Sequence, residues 1–159
     1  MKRIVVITLI SVFILSSVLL MAGRFPHRRT GVSIWFPKHW EVRQVGAALY
    51  GISPDGQAVV QYIQLPANNM KQARRNFRPS LEPQIQDFRA TREGPRFTRN
   101  NLFFKALYGE ARHKRMLWVV TIYFVQTPRG TAMLVQRRVM NAINYKVPFT
   151  NILESLKPL

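Results

Sequence analysis

Side chains that could perform chemistry are few and widely spaced in this chain. The three histidines, His27, His39 and His113, lie far apart with no metal ligand at a recognisable spacing, and the sequence contains no cysteine. Ser33, His39 and Asp55 could in principle form a hydrolytic trio, but no nucleophile elbow surrounds the serine. The seven acidic residues are better explained as countercharges for neighbouring arginines. We therefore expect no enzyme, no bound metal and no cofactor.

Positive charge is the strongest chemical signal in the sequence. Lys and Arg total 24 against 7 acidic residues, a formal net charge of +17. Such a field favours anionic partners: lipid headgroups, an acidic protein face or nucleic acid. The alternative interpretation is a solvated surface that only keeps the protein soluble. The predicted anionic docking surface combines a helical ridge with the tip of a hairpin: Lys71, Arg74, Arg75, Arg78, Arg112, Lys114 and Arg115.

The hairpin tip belongs to a predicted meander of strands. Residues Met116–Gln126, MLWVVTIYFVQ, are almost continuously apolar and too short to span a bilayer, which predicts a central strand buried on both faces. Phe103–Ala111 precede this strand across a basic turn, and Thr131–Val139 follow it across Pro-Arg-Gly. A further hairpin is predicted around Pro54-Asp55-Gly56, because proline presets the turn and glycine accepts a positive φ.

The ridge belongs to a segment with helical periodicity, residues Asn68–Phe88. Apolar residues recur there every three or four positions and place one stripe against the sheet: Met70, Ala73, Phe77, Leu81, Ile85 and Phe88. Two prolines predict a break after Arg78 and a second short helix capped by Ser80. The polar stretch Arg89–Asn101 is predicted to be a connector. A C-terminal helix is predicted from Pro148 to a stop before Pro158.

The beginning of the sequence resembles an export or anchoring signal. Lys2 and Arg3 precede the apolar run Ile4–Gly23, whose length is close to a bilayer span. We expect a signal-anchor or signal peptide over residues 1–23, a basic linker over 24–30 and one domain over 31–159. The predicted location is the bacterial inner membrane with the domain facing the periplasm. Secretion after signal cleavage is the alternative.

Three motifs resemble the PsbP-like superfamily, which includes bacterial envelope proteins of the DcrB type. They are GVSIWFPKHW at Gly31–Trp40, YGISPDGQAVVQYI at Tyr50–Ile63 and NILESLKPL at Asn151–Leu159. The resemblance implies an α+β fold: an antiparallel sheet of about six strands with helices on both faces, an α-β-α sandwich. A hydrophobic N-terminal helix would precede it. It also implies a non-catalytic accessory or binding role. The chain lacks the lipobox cysteine of DcrB-like lipoproteins, which leaves the apolar segment as the anchor.

Three functions follow as hypotheses. The first is a membrane-tethered envelope protein that docks to an anionic envelope protein or lipid surface. The second is a small ligand-binding protein or enzyme with a pocket between the sheet and the helical insert. The third, a nucleic-acid binder, requires a cytoplasmic domain and is not expected. No sequence feature sets an oligomeric state.

Overall fold

The computed structural model describes residues 19–20 and 23–159, which form two antiparallel sheets and two short α-helices. The strands are β1 (Leu19–Leu20), β2 (Arg24–His27), β3 (Val32–Trp35), β4 (Glu41–Val45), β5 (Ala48–Ile52), β6 (Ala58–Gln64), β7 (Arg89–Arg99), β8 (Leu102–His113), β9 (Met116–Thr127), β10 (Gly130–Val139) and β11 (Lys157–Pro158). The helices are α1 (Met70–Asn76) and α2 (Lys146–Ser155).

The large sheet has the strand order β1-β4-β5-β6-β10-β9-β8-β7. The predicted meander is confirmed, because β9 pairs antiparallel with both β8 and β10. The predicted hairpin around Gly56 is confirmed as well, since β5 pairs with β6 and Gly56 has a φ of 68°. The small sheet has the order β11-β3-β2 and therefore joins the two ends of the described chain.

Both faces of the large sheet bury apolar side chains. One face packs against the small sheet and α2, with Phe36, Tyr62 and Phe104 among the fully buried residues. The other face packs against the insert that follows β6, where the predicted apolar stripe provides Phe77 and Phe88. The prediction that β9 is buried on both faces holds fully for the insert side only, since residues such as Val119 on the other side are half-buried.

The predicted α-β-α sandwich is wrong. Strands account for 53% of the described residues and helices for 18%, and a three-stranded sheet covers much of the face where a helical layer was expected. The insert is not a helical layer either, because α1 has only seven residues and two 3-10 turns follow it, Arg78–Ser80 and Pro83–Ile85. Pro79 cannot donate the backbone hydrogen bond that would continue α1, and Pro83 disfavours the α conformation at Glu82, whose ψ is 154°. The expected second α-helix therefore does not form.

The predicted connector Arg89–Asn101 is also wrong, since it contains the eleven-residue strand β7. This strand lies at the edge of the large sheet and is exposed along most of its length. An edge strand needs no continuous apolar face, and charged residues, a proline and bulges at an edge discourage pairing with other chains. The polar composition that indicated a loop is thus compatible with an edge strand.

The predicted N-terminal hydrophobic helix falls mostly outside the described residues. Its last part does not follow the prediction, because Leu19 and Leu20 pair as a strand with Arg43 and Val42. In residues 19–20 and 23–159, no helix is long and apolar enough to cross a bilayer. The region predicted as a basic linker contains β2, whose Phe25 and His27 are buried.

Candidate functional site: a basic groove beside the insert

Helix α1 begins directly after an asparagine that caps its first turn, and the apolar side of the helix faces the sheet. The Asn69 side chain accepts a hydrogen bond from the backbone N–H of Gln72 at 2.9 Å, a standard N-cap. Ala73 is buried against the sheet, and α1 lies over β9. Because this face points inward, Lys71 and Arg75 are exposed on the outer side of the helix. Helix α1 thus presents cations beside the strands β7 and β8.

Strand β8 contributes two side chains that lie next to α1, Phe103 and Lys105. Phe103 and Lys105 point to the same face as buried Leu107, because alternate residues of a strand share a face. Phe103 is 39% exposed, whereas the Lys105 side chain is only 11% exposed. The Lys105 Nζ donates to the backbone carbonyl of Gly94 at 2.9 Å and lies 2.8 Å from the Glu93 carboxylate. Lys105 is therefore a recessed cation held in place by two acceptors.

A bulge in β7 brings a further arginine to this face. The register of β7 against β8 shifts between Glu93 and Arg96, so that Glu93 pairs with Leu107 and Arg96 pairs with Lys105. Without the shift, residues three apart would point to opposite faces. Gly94 lies in the bulge, where a Cβ atom would come within 2.6 Å of the Ala106 Cβ. The irregular strand thus places Arg96 next to Lys105.

Together these elements line one concavity, which we call the basic groove. It has a volume of about 520 Å³ and lies between α1 and the strands β7 and β8. Its lining consists of five cationic and two apolar side chains: Lys71, Arg74, Arg75, Arg96, Lys105, Met70 and Phe103. Glu93 at its rim forms ion pairs with Arg74 and Lys105.

The electrostatics of the groove affect the pKa of the neighbouring Glu93 carboxylate. The hydrogen bond from Lys105, followed by the charges of Arg74, Lys105 and Arg96, holds the pKa of Glu93 below its ordinary value. One carboxylate cannot neutralise five cations, so the groove keeps an excess of positive charge. Arg74 also has a buried Nε with no hydrogen-bond partner among the described residues. The groove therefore contains more donors than the surrounding protein satisfies.

The seven residues of the predicted docking surface do not form one patch. Lys71, Arg74 and Arg75 line the basic groove. Arg78 does not line it, because its guanidinium donates to the Phe88 carbonyl at 2.7 Å and lies 5.7 Å from the centre of the Phe77 ring.

The remaining three residues, Arg112, Lys114 and Arg115, lie at or next to the turn between β8 and β9, which we call the hairpin tip. Lys105 and Arg112 are seven positions apart on the extended strand β8, a distance of about 23 Å. The predicted surface is thus divided into a groove and a distant tip.

Sequence reasoning missed three residues of the groove: Arg96, Lys105 and Phe103. Arg96 was assigned to a connector, and the bulge that directs it toward Lys105 has no reliable signature beyond Gly94-Pro95. Lys105 had a usable signal, since it interrupts the apolar run Leu102–Leu107. A lysine in such a run is rarely buried without a partner, so it indicated either a buried ion pair or a site.

The chemistry considered and set aside in the sequence finds no support in the described residues. Ser33 accepts a hydrogen bond from Arg24 at 3.0 Å, Asp55 closes the β5–β6 turn by accepting from Ser53 at 2.7 Å, and His39 lies exposed in a turn. No hydrogen bond joins any two of Ser33, His39 and Asp55 there. The search of residues 19–20 and 23–159 for three or more possible metal ligands in one place finds none.

Comparison with known proteins shows a fold but no family. No protein-family model matches the sequence, and no curated protein matches it. A crystal structure from Bacteroides thetaiotaomicron VPI-5482 is similar, with a TM-score of 0.58 at 10% identity over 88% of this chain and 49% of that one. The chain therefore spans about half the length of that protein, and the similarity concerns the fold alone.

A second solved structure is LpqN, involved in cell envelope biogenesis of Mycobacterium tuberculosis. Its TM-score is 0.49 at 12% identity, over 79% of this chain and 82% of LpqN. A likeness at this level supports no conclusion about the present chain. None of these comparisons names the PsbP-like superfamily, and that resemblance stays a prediction.

Proposed function

We propose that this chain is a non-catalytic accessory protein of the bacterial cell envelope that docks an anionic partner in the basic groove. The observation that supports the proposal is the convergence of five cationic side chains, from α1, β7 and β8, on one open concavity. Scattered surface cations keep a protein soluble, whereas cations that converge from three elements create a local potential that attracts a discrete anion. The envelope location rests on the apolar run of residues 4–23 and on the PsbP-like motifs.

The repulsion among these cations is the second argument. Arg96 and Lys105 face each other directly across two strands, and like charges in that position destabilise a sheet. The ion pair between Glu93 and Lys105 offsets part of this electrostatic repulsion. Cations that repel each other in the free protein make the binding of an anion more favourable, because the anion attracts each of them and offsets their mutual repulsion.

Site-specific photo-crosslinking in intact cells tests the proposal. Benzoylphenylalanine replaces Phe103 inside the basic groove or Met116, which is 45% exposed next to the hairpin tip. We expect a specific partner, identified by mass spectrometry, to be captured from position 103 and not from position 116.

Two matched charge reversals complete the test. Lys71→Glu/Arg75→Glu changes the groove, and Arg112→Glu/Lys114→Glu makes the same change of charge at the hairpin tip. Capture at position 103 should be lost in the first variant and retained in the second. Capture that persists unchanged in the groove variant would contradict the proposal.

A further inference from the structure

The seven side chains that line the basic groove in the described part of the chain include five hydrogen-bond donors and no oxygen acceptor. Lysine and arginine are donors only, and the other two lining residues are methionine and phenylalanine. The nearest carboxylate, Glu93, already accepts from Arg74 and Lys105 through its two oxygens. A peptide or a sugar in the groove would bring N–H or O–H donors that find no side-chain acceptor, and an unpaired buried donor is costly. The fitting ligand is one whose polar part consists of acceptors.

The groove also contains apolar surface where a purely ionic site would have none. Phe103 is 39% exposed although it lies on a sheet face where Lys105 and Leu107 are buried. Met70 is half-buried at the start of α1 and lines the same concavity. Phe103 and Lys105 are two positions apart on one strand face, about 7 Å. A ligand that spans this distance would place an anionic head near Lys105 and a hydrocarbon part over Phe103.

The shape of the site favours a single molecule over a membrane surface. A flat bilayer contacts protruding cations, but Lys105 is recessed between α1 and β7. The cavity of about 520 Å³ is within the range of about 300–1,000 Å³ that is typical of small-molecule sites. A single chain with one charged head can enter such a concavity, whereas a planar surface cannot.

We propose that the basic groove binds a single-chain anionic amphiphile. The carboxylate or phosphate head lies near Lys105, among Lys71, Arg75 and Arg96, and the alkyl or acyl chain packs against Met70 and Phe103. This inference rests on the proposed function, because it identifies the anionic partner as a lipid-like molecule. A fatty acid and a long-chain alkyl phosphate share the required chemistry and differ in the head group.

Calorimetric titration of the full chain in a non-ionic amphipathic polymer tests the inference, with the polymer alone as blank. The probes are dodecyl phosphate and dodecanoate below their micelle concentrations, methyl phosphate as a head without a chain, and dodecyl maltoside as a chain without a charge. We expect dodecyl phosphate or dodecanoate to bind at least about tenfold more tightly than either control, since each buried methylene strengthens binding. The stronger of the two anionic probes identifies the head group.

Substitutions in the groove distinguish the binding of the anionic head from the binding of the hydrocarbon chain. Phe103→Ser should weaken binding of the anionic amphiphile and leave that of methyl phosphate unchanged, whereas Lys71→Gln/Arg75→Gln should weaken both. Val147→Ser is the matched control, because Val147 is an exposed apolar residue on α2. It should change neither.

Four outcomes would overturn the inference. Equal affinity for methyl phosphate and dodecyl phosphate would mean that the groove holds an anion without a chain, and equal affinity for dodecyl maltoside would mean that charge plays no part. If no amphiphile binds while charge-dependent crosslinking at position 103 persists, the inference fails and the docking function stands. If both are absent, both fail.

Discussion

Arg96 lies directly opposite Lys105 in the register of β7 against β8, with both side chains on the face that carries α1. Two cations in adjacent cross-strand positions repel each other, and the sheet would be more stable with an uncharged residue in one of them. The bulge at Gly94-Pro95 creates this arrangement by bringing Arg96 to the α1 side of the edge strand. The basic groove therefore includes a local instability that an anionic ligand would relieve.

Arg96→Thr should stabilise the free protein while it weakens anion binding. We expect the free energy of unfolding to rise by about 0.2–1 kcal/mol, because threonine suits a strand and removes the repulsion with Lys105. Urea denaturation measures the stability, and titration with dodecyl phosphate measures the binding. Arg89→Thr is the matched control on the same strand, since Arg89 faces Glu110. It should lower the stability, and a gain in both variants would show that the pairing with Lys105 is not the cause.

A buried ion pair between Glu82 and Arg137 fastens the insert to β10, a central strand of the large sheet. The Arg137 guanidinium donates to both Glu82 oxygens, one of them at 3.1 Å, and lies 4.1 Å from the centre of the Trp118 ring. Only 7% of the Arg137 side chain and 9% of the Glu82 side chain are exposed. Glu82→Gln should therefore cost about 3–5 kcal/mol of unfolding free energy, because it leaves a buried charge without its partner.

The double variant Glu82→Gln/Arg137→Met is the control for this pair. It removes the unpaired charge and should recover part of the stability lost in Glu82→Gln. Urea denaturation followed by tryptophan fluorescence gives both values. A cost below about 1 kcal/mol for Glu82→Gln would place the pair among ordinary surface salt bridges and contradict the burial seen here.

Two tyrosines make the stability of the fold sensitive to high pH. Burial raises the pKa of Tyr123 to about 12, and burial also raises the pKa of Tyr62, whose hydroxyl donates to Thr30 at 3.1 Å. The folded state favours the neutral phenol. The stability that each neutral tyrosine contributes is therefore fully present below the unfolded tyrosine pKa of about 10. It is lost as the pH rises through the pKa that the tyrosine has in the folded protein.

Tyr123→Phe tests this dependence, because phenylalanine keeps the ring and removes the titrating hydroxyl. Urea midpoints measured between pH 8 and pH 12 should fall less steeply in the variant than in the wild type above pH 10. The difference between the two proteins cancels the titration of lysines, which occurs in both. Parallel curves would show that Tyr123 does not contribute to the alkaline loss.

Local patterns predicted the strands that pair with sequence neighbours, but not the layers that cover the sheet. The meander β8–β9–β10 follows from apolar runs separated by turn residues, and the β5–β6 hairpin follows from Pro54-Asp55-Gly56. The small sheet is different, because Lys157 pairs with Ser33 across most of the chain. No periodicity in either segment indicates such a partner, so the family resemblance led to an incorrect helical layer.

The candidate site was half predictable for the same reason. The periodicity of α1 correctly identified Lys71 and Arg75 as exposed cations. Their neighbours in the groove come from β7 and β8, where a register shift decides which side chains share a face. A shift of this kind depends on pairing energies between strands, and a sequence read at period two places Glu93 and Arg96 on opposite faces. The concavity therefore emerges only from the folded sheet.

The arginine side-chain resonances of the full chain, recorded by NMR during titration with dodecyl phosphate, test the central claim most directly. The Nε–H signals of Arg74, Arg75 and Arg96 should shift together and saturate at one ligand per chain, while those of Arg112 and Arg115 at the hairpin tip stay in place. Shifts that are confined to the hairpin tip, or that grow without saturation over all arginines, would contradict a specific site in the basic groove.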